Sequence, residues 1–492
     1  MCGIAGIFND NEVRAVEEMM AAVKHRGPDG HGLWWDAHHA MGHTRLSILD
    51  LEGGAQPMSA PGGRSHIVYN GEIYNHEQLR DQMGRYLFRT RSDTEVILEL
   101  HLEDPAGHVK KLDGMFAYAV LKDDQLTLAR DPLGIKPLYV GRRNWSIAFA
   151  SEMKALLKTC DAIWEFPPGH IYISRKGMRR YYDLNPGPPD IADLHTGMAE
   201  IREGLEEAVF KRLMADVPVG VFLSGGLDSS LISALARPYK DPLDSFSVGT
   251  VDSPDRAFAR QVAEFLGTRH HEYIYTLKEA LRALPEVIYY LESFDAALVR
   301  SAIPNFFLTR LASQHVKVAL SGEGADELFA GYDYLKKIPP EDLHDELLRI
   351  TRELHNTNLQ RCDRMSMAHG LEVRVPFLDV QVVDCAFRIP VHLKIRMPHQ
   401  TEKWILRKVA EEVLPEEIVW RKKAKFAIGC GLGDRLARFA DGEISDRAFA
   451  REREIADGVF LRSKEELLYY RIFREFYPPE RVLPLIGRSQ SV

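Results

Sequence analysis

Residues 219–230 read VGVFLSGGLDSS. The apolar run Val219-Gly220-Val221-Phe222-Leu223 predicts a buried parallel strand, and SSLISALA from Ser229 onward predicts the start of a helix. A strand feeding a glycine-rich turn at a helix N-terminus is an anion site. Its backbone N–H groups point at the ligand, and the helix dipole favours negative charge. The turn, Ser224-Gly225-Gly226-Leu227-Asp228-Ser229-Ser230, is not a Walker A loop, which sets Lys and Ser/Thr after its second glycine. Without that lysine it is poorly built to hold a γ-phosphate in transit. It suits the β,γ-pyrophosphate of ATP as a leaving group, which implies attack at the α-phosphate and release of AMP.

Working outward, 492 residues are too many for one core, and the length prior is about three domains. A hydrophobic content of 45% suits ordinary globular cores. The 71 acidic residues exceed the 63 basic ones, giving a net charge of −8, and no dense Lys/Arg run interrupts that balance. Nucleic acid is therefore not expected as the main partner. No apolar run approaches the ~20 residues of a membrane helix, and MCGIAGIFNDNEV lacks the basic region of a signal peptide. The five cysteines are scattered without a CxxC pair, which argues against a zinc site or disulfide framework and for a cytoplasmic protein. Oligomeric state is not readable; a homodimer is the commonest default.

The second informative stretch is Met1-Cys2-Gly3-Ile4. With Met1 trimmed, Cys2 would carry a thiol and a free α-amine that titrates near ~8. One residue would then supply nucleophile and base. Alone, Cys2 reads equally as a buried cysteine opening a strand over 4–8. Downstream come a helix over 12–24, then His25-Arg26-Gly27-Pro28-Asp29, Thr44-Arg45-Leu46-Ser47-Ile48, Tyr69-Asn70-Gly71-Glu72 and Ser92-Asp93-Thr94-Glu95. Each has a local structural reading: Asn70-Gly71 as a hairpin turn, Asp93 as N-cap of a helix over 94–102. Short alternating strands follow at 115–121, 125–129, 138–141 and 147–150, with a turn-rich loop over 130–139 that could face a partner domain.

Residues 183–197, DLNPGPPDIADLHTG, hold three prolines and two glycines and mark the domain boundary. The expected division is 1–185, a linker 186–198, a second domain 199–477, and a loosely held tail 478–492. Beyond the linker, helix and strand alternate: helix 200–214, strands 219–223, 245–249, 271–276 and 316–320, helices 255–266 and 278–292. On the 255–266 helix, Phe258, Val262 and Phe265 share a face. Such alternation signals a parallel sheet, whose ligands bind at the carboxyl ends of the strands. Marked sequence stands at three such ends: from Leu223, at Ser247-Val248-Gly249, and at Ser321-Gly322-Glu323-Gly324-Ala325-Asp326-Glu327.

Together, behind an N-terminal Cys-Gly-Ile, the first-half motifs resemble class II glutamine amidotransferases. SGGLDSS resembles the PP-loop of ATP pyrophosphatases, and the whole chain resembles B-type glutamine-hydrolysing asparagine synthetases. The implied fold is an αββα sandwich of the N-terminal-nucleophile type followed by an α/β domain with a parallel sheet. In the implied glutaminase site Cys2 attacks, Asn70 and the Gly71 N–H form the oxyanion hole, Arg45 clamps the glutamine carboxylate, and Glu72 and Asp93 hold its ammonium. ATP would lie against Leu223, Ser224, Gly225, Gly226, Asp228, Ser229, Val248, Ser321 and Gly322. Asp228 and Asp326 would bind Mg²⁺. Glu323 would stand near the reacting carboxylate, and Lys403, in TEKWILR, would neutralise charge on the α-phosphate. Arg300 and Arg374 would bind the acceptor's carboxylates.

Two departures bear on the acceptor, which for this family is aspartate. Ala297-Leu298 stand where the pattern has Thr-Thr, and Ala424, Ala427 and Ile428 replace polar residues. The alternatives are the same transfer onto a peptide or secondary-metabolite carboxylate, a β-lactam-forming synthetase, or a non-catalytic nucleotide and glutamine sensor.

Overall fold

The computed structural model describes residues 2–84, 86–421 and 429–489. The first half is built on two antiparallel six-stranded sheets packed face to face. Strands β1 (Cys2–Phe8) and β2 (His39–Arg45) belong to one, β3 (Ser65–Ile73) and β4 (Gly114–Lys122) to the other. Alternation along them turns Ile4, Met41, Val68, Ala117 and Leu121 into the shared interior. Helix α1 (Val13–Ala22) covers the first sheet with Val16, Met19 and Met20, and α2 (Asp93–Glu103) the second with Val96 and Ile97. This is the expected αββα sandwich.

The second half carries a parallel sheet of β5 (Val219–Phe222), β6 (Asp244–Gly249), β7 (Arg269–Ile274), β8 (Val318–Leu320) and β9 (Glu372–Arg374). Their spatial order is β7-β6-β5-β8-β9. The direction of winding reverses between β5 and β8, and a crevice opens at such a switch point. SGGLDSS follows β5 and SGEGADE follows β8, so both marked corners sit on that crevice.

Several expectations are corrected. Asn70-Gly71 is no turn: both lie inside β3, opposite Ala117 and Phe116 of β4. The glycine permits close approach instead, since a side-chain carbon there would lie 2.1 Å from the Met115 carbonyl oxygen. Ser92, not Asp93, caps α2 by accepting from the Thr94 N–H, which leaves the Asp93 carboxylate for other partners. Helix α3 (Leu194–Lys211) starts inside the expected linker, because Asp193 caps it through the Thr196 N–H. Phe265 is exposed, whereas Val262 is fully buried. Residues 478–489 are held rather than loose: Arg481 donates to the carbonyls of Leu157 (2.6 Å) and Cys160, and Ser489 bonds to Asp295.

The halves share one continuous apolar cluster, in which Ile135 and Tyr139 of the first half join Leu354 and Leu359 of the second. Buried charges cross the seam. Arg26 donates to Glu152 (2.6 Å) and to Asp363 (2.8 Å), and Lys136 in the 130–139 loop lies 3.6 Å from Asp363. Among the described residues no helix is long and apolar enough to cross a membrane.

Candidate active sites

The β1–β2 register sets Cys2 directly opposite Arg45. The Cys2 N–H donates to Asn70 Oδ1 at 2.9 Å, and Arg26 Nε donates to the Cys2 carbonyl at 3.0 Å. Burial pushes the Cys2 thiol up, and its Sγ lies 3.9 Å from the Leu46 carbonyl oxygen. Arg45 is half-buried and braced by the carbonyls of Leu51 (2.9 Å) and Asp50 (2.6 Å), which fixes its guanidinium beside the strand end. Asn70 Nδ2 is buried with no hydrogen-bond partner, and so is Glu72 Oε2. The first is a donor of the kind an oxyanion needs. Burial, then the charges of Glu372 and Asp93, push Glu72 well above the usual carboxylate range. Asp93 accepts from Tyr69 Oη (2.9 Å) and the Ile73 N–H (3.0 Å), so it also braces β3.

At the carboxyl ends of β5, β6 and β8 lies a cavity of about 860 Å³. Leu223, Ser224, Gly226, Asp228, Ser229, Val248, Ser321 and Gly322 all line it. Gly225 lies behind the wall at φ +70°, where a side-chain carbon would sit 2.4 Å from the Ala259 nitrogen. Ser224 and Ser229 bring their hydroxyls to 3.0 Å, closing the loop on itself. Helix α4 (Leu227–Ala236) begins at Gly226 with no side-chain cap, so its first N–H groups face the cavity end of the helix. Gly322 brings the second corner against the first: a side-chain carbon there would lie 2.9 Å from Asp228 Cβ.

Lys403 supplies the cation that the loop lacks. It is 3% exposed and sits at φ +54°, a left-handed backbone held at the start of a helix. Its Nζ reaches Asp228 Oδ2 at 2.5 Å and also pairs with Asp326. Burial would lower its pKa, but the two aspartates outweigh that and raise it, so it stays charged. Glu323 pairs with Arg361 on α6 (Asn358–Met367).

The two acceptor candidates part company. Arg300 lines the cavity, whereas Arg374 does not. The Arg374 guanidinium is fully buried against Glu372 (2.6 Å), the carbonyls of Arg212 and Met214, and Glu72 at 3.6 Å, on the glutaminase side of the seam. Its charge is engaged there, so the acceptor assignment is withdrawn. Ala297 and Leu298 do line the cavity; Ala424, Ala427 and Ile428 lie outside the described residues. Sequence reading missed Arg421, which donates to the Gly225 carbonyl at 3.0 Å, pairs with Asp255 and stacks 3.9 Å from the Phe258 ring centroid. No local pattern marks it, since those partners stand 196 and 166 residues away. Arg361, Arg488 and Ser489 were missed likewise.

A sandwich opening on a cysteine, fused to a doubly wound sheet with a phosphate crevice, defines a two-domain amidotransferase class. The family descriptions agree: "glutamine amidotransferase domain" matches residues 1–211 and "asparagine synthase" residues 200–342 and 339–482. Asparagine synthetase B [glutamine-hydrolyzing] of Escherichia coli is 40% identical, covering 100% of this chain and 94% of its own. The probable asparagine synthetase of Dictyostelium discoideum is 37% identical over 100% and 98%. Asparagine synthetase 1 of Saccharomyces cerevisiae is 38% identical over 99% and 96%. The chain belongs to the glutamine-hydrolysing asparagine synthetase family. Among solved structures, a B. subtilis amidotransferase covers 53% of this chain at 20% identity and a TM-score of 0.33, too low to carry an argument.

Proposed function

We propose that this protein makes L-asparagine from L-aspartate, glutamine and ATP, releasing glutamate, AMP and pyrophosphate. In the domain over 1–185, Cys2 attacks the glutamine amide, with its own α-amine, exposed once Met1 is removed, taking the thiol proton. Asn70 Nδ2 and the Gly71 N–H would receive the oxyanion. Arg45 would hold the carboxylate, and Glu72 and Asp93 the ammonium. Ammonia leaves, and water clears the thioester.

In the domain over 199–477, aspartate's side-chain carboxylate would attack the α-phosphate near Glu323. Pyrophosphate would depart along the Ser224–Ser229 loop, with Lys403 offsetting the charge. Ammonia then displaces AMP from the mixed anhydride. Asp228 and Asp326 converge on one point, the Lys403 ammonium. Two carboxylates beside phosphate oxygens form a hard oxygen set that suits Mg²⁺, which would screen the phosphate charge when bound. The five buried free thiols suit a reducing cytoplasm.

The observation that carries the reading is the convergence of Lys403, Asp228 and Asp326 beside a phosphate loop with no lysine of its own. One feature favours a second acceptor: Ala297 and Leu298 make part of the cavity wall apolar. A panel of carboxylates scored by glutamine-dependent AMP release separates the two. Turnover of aspartate is expected; none, or ADP in place of AMP, would sink the proposal.

A further inference from the structure

Two consecutive glutamates at the start of α7 (Lys464–Phe476) each hold one arginine at the nucleotide cavity. Glu465 takes Arg300 in a bidentate pair, at 2.8 and 2.7 Å, and Glu466 takes Arg488. Both carboxylates are almost wholly buried, with side-chain exposures of 2% and 1%, so each guanidinium is set in a fixed orientation. Both arginines line the cavity. Arg488 is fixed further by its neighbours. The Ser489 N–H and hydroxyl donate to Asp295 at 3.0 and 2.8 Å, and the Arg488 Cζ lies 5.5 Å from the Phe294 ring centroid.

Asp295 also caps α5 (Ala296–Ala312) by accepting from the Leu298 N–H at 3.0 Å, and the first turn of α5 forms the same wall. That turn presents Ala297 and Leu298, which offer a ligand no polar side-chain atom. Arg488 does offer one: its Nε is buried and has no hydrogen-bond partner. A buried donor without an acceptor costs free energy until something meets it. Beside this cavity the missing group is an acceptor oxygen on the substrate.

We propose that Arg488, set beside Ser489 and paired with Arg300, binds the carboxylate of the acceptor that is not adenylated. For aspartate this is the α-carboxylate, so the inference rests on the reading of aspartate as acceptor. It assigns a specificity role to the segment expected to be a loose tail. It also explains how a wall that has lost the Thr-Thr pair can still recognise a dicarboxylate.

The test is steady-state synthesis driven by ammonium chloride, with aspartate and with β-alanine, which is aspartate without the α-carboxylate. A charged hydrogen bond is worth enough for Arg488→Ala to raise the KM for aspartate roughly tenfold or more. The KM for ATP should stay put, and the preference for aspartate over β-alanine should collapse. Arg488→Lys should recover part of that preference. If β-alanine is not turned over, the split between the two KM values decides. Equal losses for both acceptors, or an unchanged KM for aspartate, would overturn the assignment. Glutamine hydrolysis at Cys2 monitors folding, and Arg488→Gln replaces the alanine variant if that activity falls. Failure of wild-type protein to use aspartate at all would instead condemn the acceptor reading. Arg488 would then be judged by the same ratio, with the active carboxylate and its analogue lacking the second acid group.

Discussion

A buried thiol is a poor nucleophile until something takes its proton. Burial raises the Cys2 thiol, and the nearest oxygen to its sulfur is the Leu46 carbonyl, which is no base. The α-amine released by loss of Met1 answers that need, and Asn70 Oδ1 already receives the Cys2 nitrogen. Cys2→Ala should therefore abolish glutamine-driven synthesis and spare synthesis from ammonium salts. The measurement is asparagine formed with each nitrogen source; loss of both would make Cys2 structural. Legibility ended at partners. Cys2, Asn70 and Lys403 were readable because their motifs stand in sequence. Arg374 looked like an acceptor residue because sequence does not show that Glu372, Glu72 and two carbonyls engage its charge.

The phosphate corner depends on one backbone shape. Gly225 sits at φ +70° with its α-carbon against the α-helix (Pro254–Leu266) that carries Phe258 and Ala259. A left-handed alanine costs about 1–2 kcal/mol per residue, and here its methyl would also meet backbone at 2.4 Å. Gly226 has an ordinary φ of −82°, and the nearest atom to an added carbon is the movable Ser224 hydroxyl at 3.3 Å. Gly225→Ala should lower the melting temperature and weaken ATP at least tenfold, while Gly226→Ala should be milder in stability. Thermal unfolding and ATP titration read this, and equal melting temperatures for the two variants would refute it. The strand–turn–helix grammar around this corner was legible to within a few residues because β-period and helix-period differ. Asn70-Gly71 misled because a favourable turn pair was outweighed by the nine-residue β3–β4 ladder around it.

Across the whole molecule, the halves are joined by charge as well as by apolar surface. Glu165 of the first half accepts from Arg130 at 2.7 Å and meets His355 of the second at 2.7 Å. Burial would raise its carboxyl, but Arg130 and then His355 outweigh that and hold it at about 2 against an ordinary 4.5. A depressed native pKa stabilises the fold above pH 4.5, and that stability is lost as pH falls toward 2. The shift corresponds to roughly 3 kcal/mol. Glu165→Gln should melt several degrees lower near pH 7, with the gap to wild type closing below pH 4.5. A gap constant with pH would show that the pair contributes packing alone.

Arg26 reaches the carbonyl of the nucleophilic residue through one nitrogen and Asp363 of the far half through two others. Fission of the gene between the halves would ship the amide-cleaving polypeptide with a guanidinium short of one counter-ion. Its sister would carry an aspartate stripped of its mate. Each fragment would have to acquire a replacement charge before it could live alone, so this joint resists evolutionary separation more than a proline-rich connector suggests.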